Sequence, residues 1–166
     1  MYLGIDPGIR KLWYGLIDQQ GKVITSWVLL SEEKSPTRND QFARMVEIHQ
    51  FFDTMIQEYP ITAVGIEKLF FTARNQSNAE FVYGVRGIIG MMFRSHTISL
   101  FERTPQEIKK YITGNGNAGK ELMLAVIKKI FTLTDEELKR HDAADALGIA
   151  LMVKNTEEIN KKKKSS

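Results

Sequence analysis

Apolar residues along this chain occur either in short runs, which predict strands, or at helical spacing, which predicts helices. Short apolar runs bounded by turn residues predict five strands, over residues 2–6, 13–17, 23–30, 61–67 and 97–101. Apolar positions at helical spacing predict helices over 40–59, 75–94 and 120–130, a short helix from Thr104-Pro105 and a last one ending near Val153. A hairpin followed by alternating helices and strands predicts an α/β fold with helices on the faces of a mixed sheet.

Length and composition favour a single folded domain. The 166 residues are 43% apolar and 26% charged, as in globular chains with a buried core. We expect this domain over residues 1–154 and a polar, lysine-rich, disordered tail over 155–166. The absence of cysteine excludes disulfide scaffolds, thiolate zinc sites and cysteine nucleophiles. With no apolar run of about 20 residues and no signal peptide pattern, a cytoplasmic protein without membrane contact is expected.

The net charge of +3 depends on four consecutive lysines, Lys161–Lys164. Without them, 19 Lys and Arg face 20 Asp and Glu, so residues 1–160 carry a net charge of −1. Nucleic-acid binding by such a body has to rely on local basic patches, or on carboxylates neutralised by bound metal. We expect the four lysines to add nonspecific affinity for DNA.

Two acids end predicted strands in the same local pattern. Asp6 ends the first strand and Glu67 the fourth, and each follows a glycine by two residues. Side chains two apart share a strand face, so each acid stands beyond a position without a side chain. If the two strands are neighbours, the acids converge at the carboxyl edge of the sheet, where open α/β folds often bind ligands. Taken alone, Asp6 before Pro7 is more typical of a turn.

A second pair of acids, Asp142 and Asp145, lies three residues apart and can share one helical face. Such pairs are usually solvated, but the alanines around this one favour a helix that lies close to the sheet. Four converging carboxylates repel one another unless cations fill the site. Oxygen ligands favour Mg²⁺ or Mn²⁺ over zinc, and two such ions about 3.5–4 Å apart can activate water against a phosphodiester.

From Leu3 to about Val153 the chain resembles the RuvC-type Holliday-junction resolvases of the ribonuclease H-like superfamily. The motifs that carry the resemblance are Gly4-Ile5-Asp6-Pro7-Gly8, Tyr14-Gly15, Ile66-Glu67 with Phe70 and Asn75, Arg86-Gly87, the Lys109 region, Gly114-x-Gly116-Asn117-Ala118-Gly119-Lys120 and Asp142-Ala-Ala-Asp145-Ala-Leu. The resemblance implies a ribonuclease H-like fold, with a mixed five-stranded sheet of three antiparallel strands and then parallel strands, flanked by helices. Actin-like ATPases share the Gly-Ile-Asp opening, but one 166-residue domain cannot build their two-lobed cleft.

The resemblance also implies an activity and its residues. It implies a homodimeric, Mg²⁺-dependent endonuclease that makes paired nicks in four-way DNA junctions during recombination and repair, with two ions per site and Mn²⁺ as a substitute. The metal-binding catalytic positions fall on Asp6, Glu67, Asp142 and Asp145. Lys109 and Lys120 match basic positions near the scissile phosphate, and Lys120 is expected to assist catalysis. The remaining DNA-binding positions are Phe70, Phe71, Arg74 and Asn75; because this segment is about one residue longer than in familiar bacterial members, the base contact falls on either Phe70 or Phe71.

Several of these residues also have ordinary structural explanations. Lys120 is typical of an exposed lysine at a helix start, and a ring such as Phe70 can fold back onto the core. His141 either touches a metal-bound water or ends a solvated basic run, and we favour the solvated run. Glycines at 84, 87 and 90 of the predicted helix over 75–94 fit close packing on the sheet or on a partner subunit.

Three alternatives remain open from the sequence. The chain could be a ribonuclease H-like nuclease for RNA, a nuclease for other branched DNA, or a junction-binding protein with little cleavage. The presence of all four acids favours cleavage. The sequence identifies neither a preferred cleavage site nor a branch-migration helicase partner.

Overall fold

The structure, a computed structural model, describes residues 1–8, 11–30, 38–68, 79–134 and 141–164, which contain five strands and five helices. The strands are β1 (Tyr2–Pro7), β2 (Lys11–Ile17), β3 (Val23–Leu30), β4 (Ala63–Glu67) and β5 (Ser99–Arg103). The helices are α1 (Arg38–Glu58), α2 (Ala79–Ser95), α3 (Pro105–Thr113), α4 (Lys120–Phe131) and α5 (His141–Lys164).

The strands form one mixed sheet in the order β3-β2-β1-β4-β5. The first three strands pair antiparallel, and β4 and β5 continue the sheet parallel to β1. This is the predicted arrangement, and it is confirmed. Since β1, β4 and β5 point the same way, their carboxyl ends meet at one edge, which we call the carboxyl edge.

Each face of the sheet has its own apolar core. Helices α1 and α2 cover one face, where Phe52 and Phe93 are completely buried. Helices α3, α4 and α5 cover the other face and bury Ile108, Met123 and Leu147. The sheet therefore separates two layers of helices, as expected for an α/β fold.

Strand β5 begins two residues later than the apolar pattern predicts. Thr97 adopts a left-handed conformation with φ of 60° and belongs to the turn after α2. Parallel pairing with β4 then sets the register from Ala63↔Ser99 to Glu67↔Arg103. The later start carries Arg103 to the carboxyl edge.

The predicted disordered tail from residue 155 is not what the structure contains, because α5 continues to Lys164. No Gly or Pro interrupts the helix after Gly148, and Lys154 pairs with Glu158 at 2.8 Å with helical i,i+4 spacing. The Asn155 side chain also donates a hydrogen bond to the Tyr111 hydroxyl. Across the described part of the chain, no helix combines the length and apolarity needed to cross a bilayer.

Candidate active site at the carboxyl edge

Strand pairing brings the first two predicted acids side by side. In the parallel β1–β4 ladder Gly4 pairs with Gly65 and Ile5 with Ile66. Asp6 and Glu67 occupy the next position on each strand, and side chains at equivalent positions of neighbouring strands project from the same face. Strands β1 and β4 are therefore neighbours, which is what the predicted convergence of Asp6 and Glu67 requires.

A row of glycines lets helix α5 lie directly on the sheet. Gly15, Gly4 and Gly65 are paired across β2, β1 and β4, and we call this row the glycine floor. A Cβ atom on Gly4 would lie 2.0 Å from the carbonyl oxygen of Ala146 and 2.6 Å from the amide nitrogen of Ala150. A Cβ on Gly65 would come within 2.6 Å of side chains of the same helix. The close contact is therefore possible only because these strand positions carry no side chain.

Trp13 fixes the same helix from the side. It pairs with Asp6 across the β1–β2 ladder and is buried against Ala143 and Ala146 of α5. Because Asp145 lies between these two alanines in the sequence, the packing that anchors α5 also holds Asp145 at the carboxyl edge.

The acids open into one cleft, which we call the carboxylate cleft. Its volume is about 250 Å³. It is lined by Asp6, Glu67, Pro105, Ile108, Lys109, Lys120, Met123 and Asp145. Three of the four predicted acids and both predicted lysines thus come together from β1, β4, α3, α4 and α5. Asp142 lies one helical turn before Asp145 in α5, and its side chain is outside the described residues.

The electrostatics of the cleft are dominated by crowded negative charge. Burial, followed by the carboxylates of Asp6 and Asp145, raises the pKa of Glu67 from 4.5 to about 8. Lys109 acts in the opposite direction. Since both causes disfavour the ionised carboxylate, the site favours either a bound proton or a bound cation.

The residues fit a hard divalent cation. The acidic ligands are all oxygens, which Mg²⁺ and Mn²⁺ prefer, and a cation would relieve the repulsion around Glu67. Within the described residues, no three His, Asp or Glu side chains are gathered closely enough to hold an ion as they stand. Mutual repulsion between carboxylates spreads them apart when no cation is bound. We therefore expect ion binding to draw the acids of the cleft together.

Proton and metal binding should compete at Glu67, and this makes stability depend on pH. The raised pKa means that the folded protein holds a proton more tightly than the unfolded chain. Without divalent cations, we expect the contribution of this group to the free energy of unfolding to be fully present below pH 4.5 and to be lost between pH 4.5 and about 8, by up to about 1.4 kcal/mol per pH unit. Urea unfolding across this range measures the effect.

The matched variants for this prediction are Glu67→Gln and Glu121→Gln, the second on the exposed face of α4. Glu67→Gln should remove most of the pH dependence, whereas Glu121→Gln should keep it. Mg²⁺ should stabilise the wild-type protein more at pH 8 than at pH 6. Parallel pH curves for the wild-type protein and Glu67→Gln would show that Glu67 does not carry the shifted proton.

The two basic side chains approach the cleft from helices. Lys109 lies in α3, whose start is fixed by a capping box between Thr104 and Glu107. Lys120 is the first residue of α4, directly after Gly119. Gly119 provides no side-chain cap, so a phosphate oxygen could accept hydrogen bonds from the first amides of α4 while Lys120 supplies the charge.

Other predicted residues lie outside the described part of the chain. They are Phe70, Phe71, Arg74, Asn75 and the side chain of His141. Two basic residues at the carboxyl edge were not predicted from the sequence: Lys68 follows Glu67 after β4, and Arg103 is the last residue of β5. The signal in the sequence was a basic residue at the end of each apolar strand pattern.

Comparison with known proteins identifies the family. Residues 2–153 match the family model described as "Crossover junction endodeoxyribonuclease RuvC". A protein of that name from Alkaliphilus metalliredigens (strain QYMF) is 36% identical over 152 residues, covering 90% of this chain and 89% of the relative.

Solved structures agree with the sequence match. A Thermus thermophilus RuvC structure has a TM-score of 0.74 and 26% identity, covering 90% of both chains. A second structure, of T. thermophilus RuvC in complex with a Holliday junction substrate, has a TM-score of 0.74 and 24% identity over 90% of this chain and 89% of that one, and supports the fold alone. The predicted resemblance is confirmed: the chain belongs to the RuvC family of crossover junction endodeoxyribonucleases.

Proposed function

We propose that this protein resolves four-way DNA junctions by paired symmetric nicks, acting in DNA recombination and repair. The observation that carries the proposal is the meeting of Asp6, Glu67 and Asp145 in one cleft of a chain whose relatives are named crossover junction endodeoxyribonucleases. The name of these relatives, crossover junction endodeoxyribonuclease, supports branched DNA as the substrate class.

The proposed chemistry assigns metal binding to Asp6, Glu67, Asp142 and Asp145. Two Mg²⁺ ions, or Mn²⁺ in their place, would supply an activated water and neutralise the leaving oxygen of the phosphodiester. Asp6 and Glu67 sit on rigid neighbouring strands, and Asp145 is held by α5 on the glycine floor. In this proposal the scissile phosphate lies at the carboxylate cleft, between these elements.

Lys120 is proposed to assist at the scissile phosphate. Its side chain lines the carboxylate cleft together with the acids, and the amides at the start of α4 lie beside it. A positive charge held at this point stabilises the negative charge that develops on the phosphate in the transition state. Lys109, which lines the same cleft, is proposed to bind the phosphate alongside it.

Lys120→Ala should lower the cleavage rate even when all DNA is bound. We expect a loss of about tenfold or more in single-turnover cleavage at saturating protein, which corresponds to about 1.4 kcal/mol of transition-state stabilisation.

The contrasting variant deletes residues 161–166. Lys161 is 16 residues beyond Asp145 on α5, about 24 Å along the helix axis, and so is remote from the cleft.

The deletion should therefore weaken binding at low salt and leave the saturated rate unchanged, because distant phosphate contacts act by counterion release. Single-turnover rates of both variants across a salt series distinguish the two roles. Wild-type rates for Lys120→Ala at saturation would make Lys120 a docking residue only.

Base contacts are proposed for the segment between β4 and α2. The family resemblance assigns them to Phe70 or Phe71, with Arg74 and Asn75 beside them. Aromatic rings stack on unpaired bases irrespective of sequence, which suits the open centre of a junction.

A homodimer is proposed because paired nicks on a two-fold junction need two symmetric sites. Helices α1 and α2 expose large apolar side chains at helical spacing, namely Phe42 (57%), Val46 (54%), Tyr83 (55%) and Met91 (66%). Gly87 lies between the last two on α2, with open space where a Cβ would be. Gly84 is instead filled from within the subunit by Met45 of α1, so the three glycines do not share one role.

Met91→Asp should therefore weaken the dimer. One chain has a mass of 19.0 kDa. Light scattering should therefore give about 38 kDa for the wild-type dimer and about 19 kDa for the variant. Ile130→Asp, which places the same change at an exposed apolar residue of α4, should stay dimeric. A wild-type mass of about 19 kDa over a wide concentration range, with or without DNA, would rule out the dimer.

The experiment that tests the proposed function is a cleavage panel in Mg²⁺. It compares four-way, three-way, flap and duplex DNA with single-stranded RNA. Selective cutting of the four-way junction is expected. Preferential cutting of RNA would favour a ribonuclease, and tight junction binding without cutting would favour a junction-binding protein.

A further inference from the structure

Two cations lie at the carboxyl edge immediately beside Glu67. Lys68 follows Glu67 directly, and its amide donates a hydrogen bond to the Arg103 carbonyl at 2.7 Å. Arg103 is paired with Glu67 in the parallel β4–β5 ladder. The Cα atom of Lys68 is therefore about 3.8 Å from that of Glu67 along the chain. The backbone of Arg103 is about 4.8 Å from Glu67 across the sheet.

The Arg103 side chain is held on its own strand. Its guanidinium lies 5.9 Å from the ring centroid of Phe101, and its Nη1 donates to the Glu102 carbonyl at 2.8 Å. These contacts leave further guanidinium donors, since the group carries five N–H bonds in all. Arg103 is half-buried, and Lys68 is exposed.

Carboxylates close to Lys68 and Arg103 offset part of this positive charge: Glu67 is beside both, and Glu102 precedes Arg103 on β5. Glu107 lies within electrostatic reach of both cations, but its carboxylate accepts the Thr104 amide at 2.7 Å in the capping box of α3. Glu102 is paired with Arg86 and Glu67 lines the carboxylate cleft, so Glu107 on α3 is the nearby carboxylate that Lys68 and Arg103 share. Because residues 1–160 carry a net charge of −1, DNA binding has to rely on local basic side chains such as Lys68 and Arg103.

We propose that Lys68 and Arg103 bind a DNA phosphate next to the scissile phosphate, on the β5 side of the carboxylate cleft. The inference rests on the proposed function, because the acids and Lys109 define where the scissile phosphate lies. A strand held there continues past β4 and β5, with one phosphate per nucleotide. Phosphate contacts set register and orientation and carry no base information, so Lys68 and Arg103 are positioning residues.

The test removes one phosphate charge at a time. Junctions carry a single methylphosphonate at each position within three nucleotides of the cut, and binding is measured in Ca²⁺ across a salt series. The wild-type protein should lose about tenfold in affinity at one flanking position. Lys68→Gln and Arg103→Gln should bind unmodified DNA more weakly, lose sensitivity at that same position, and show a salt slope lower by about one.

Two controls separate this contact from general charge and from folding. Lys129→Gln removes the same charge at the exposed far end of α4 and should keep the wild-type phosphate profile. Arg103→Lys keeps the charge and should restore sensitivity at the flanking position. The proposal is overturned if Lys68→Gln and Arg103→Gln keep the wild-type affinity and salt slope, or if they lose affinity equally on every substrate. Because binding in Ca²⁺ is read without cleavage, a wild-type protein that cut no junction would refute the proposed function while the phosphate profile still decided this inference.

Discussion

Asp6→Asn should abolish cleavage in Mg²⁺ while leaving junction binding in Ca²⁺ close to wild type. Asp6 stands beside Glu67 at the edge of adjacent strands and lines the cleft with Asp145. An amide keeps the shape of the side chain but loses the charge that holds a metal. Loss of an outer partner of a metal ligand already costs about 10–100-fold, so we expect at least a hundredfold loss of single-turnover rate.

The matched control is Asp53→Asn on α1, where the carboxylate accepts a hydrogen bond from Gln57 remote from the cleft. It should cut at the wild-type rate. Substantial nicking by Asp6→Asn would remove Asp6 from the catalytic set. Equal loss of binding and cutting would instead indicate damage to the fold.

Gly4→Ala should be among the most damaging single changes to the fold itself. The added Cβ would lie 2.0 Å from the Ala146 carbonyl oxygen and 2.6 Å from the Ala150 amide nitrogen, and this α5 backbone can give way only if the helix moves off the sheet. Overpacking of a core typically costs about 1–3 kcal/mol, and we expect a loss at or above the upper end of that range in urea unfolding. Any folded fraction should cut poorly, because lifting α5 from the sheet moves Asp145.

Gly90→Ala is the control for this change. Its Cβ would meet Leu100 at an ordinary 3.6 Å, and alanine is the better helix former, so stability should stay the same or rise by up to about 1 kcal/mol. If Gly4→Ala were as stable as Gly90→Ala, the close contact between α5 and the glycine floor could not be what positions Asp145.

The sequence predicted the sheet and the meeting of the acids because both depend on short-range patterns. Alternation and turn residues define the strands, and a glycine two residues before each acid places Asp6 and Glu67 on one face. The pairing of Gly4 with Gly65 then follows from parallel register. The alanines near Asp145 signalled close helix packing, and the structure has them against the glycine floor.

What the sequence could not predict depends on tertiary pairing. The register of β5 comes from β4, so the position of Arg103 beside Glu67 was not visible in a local apolar pattern. Trp13 lies in an apolar strand pattern, and only the packing of α5 shows that it is a buried contact beside Asp145. The helical end of α5 also depends on a contact from Asn155 to Tyr111, 44 residues earlier in the chain.

We propose that the two carboxylate clefts of one dimer cut one junction in a paired reaction. The most direct measurement uses a supercoiled plasmid that extrudes a cruciform, incubated with the protein in Mg²⁺ under limiting conditions. Paired nicks within the lifetime of one complex convert the circle directly to linear DNA, and this is the result that we predict, with no product from Asp6→Asn. Nicked circles as the lasting product, or equal cutting of a plasmid without the cruciform, would contradict it.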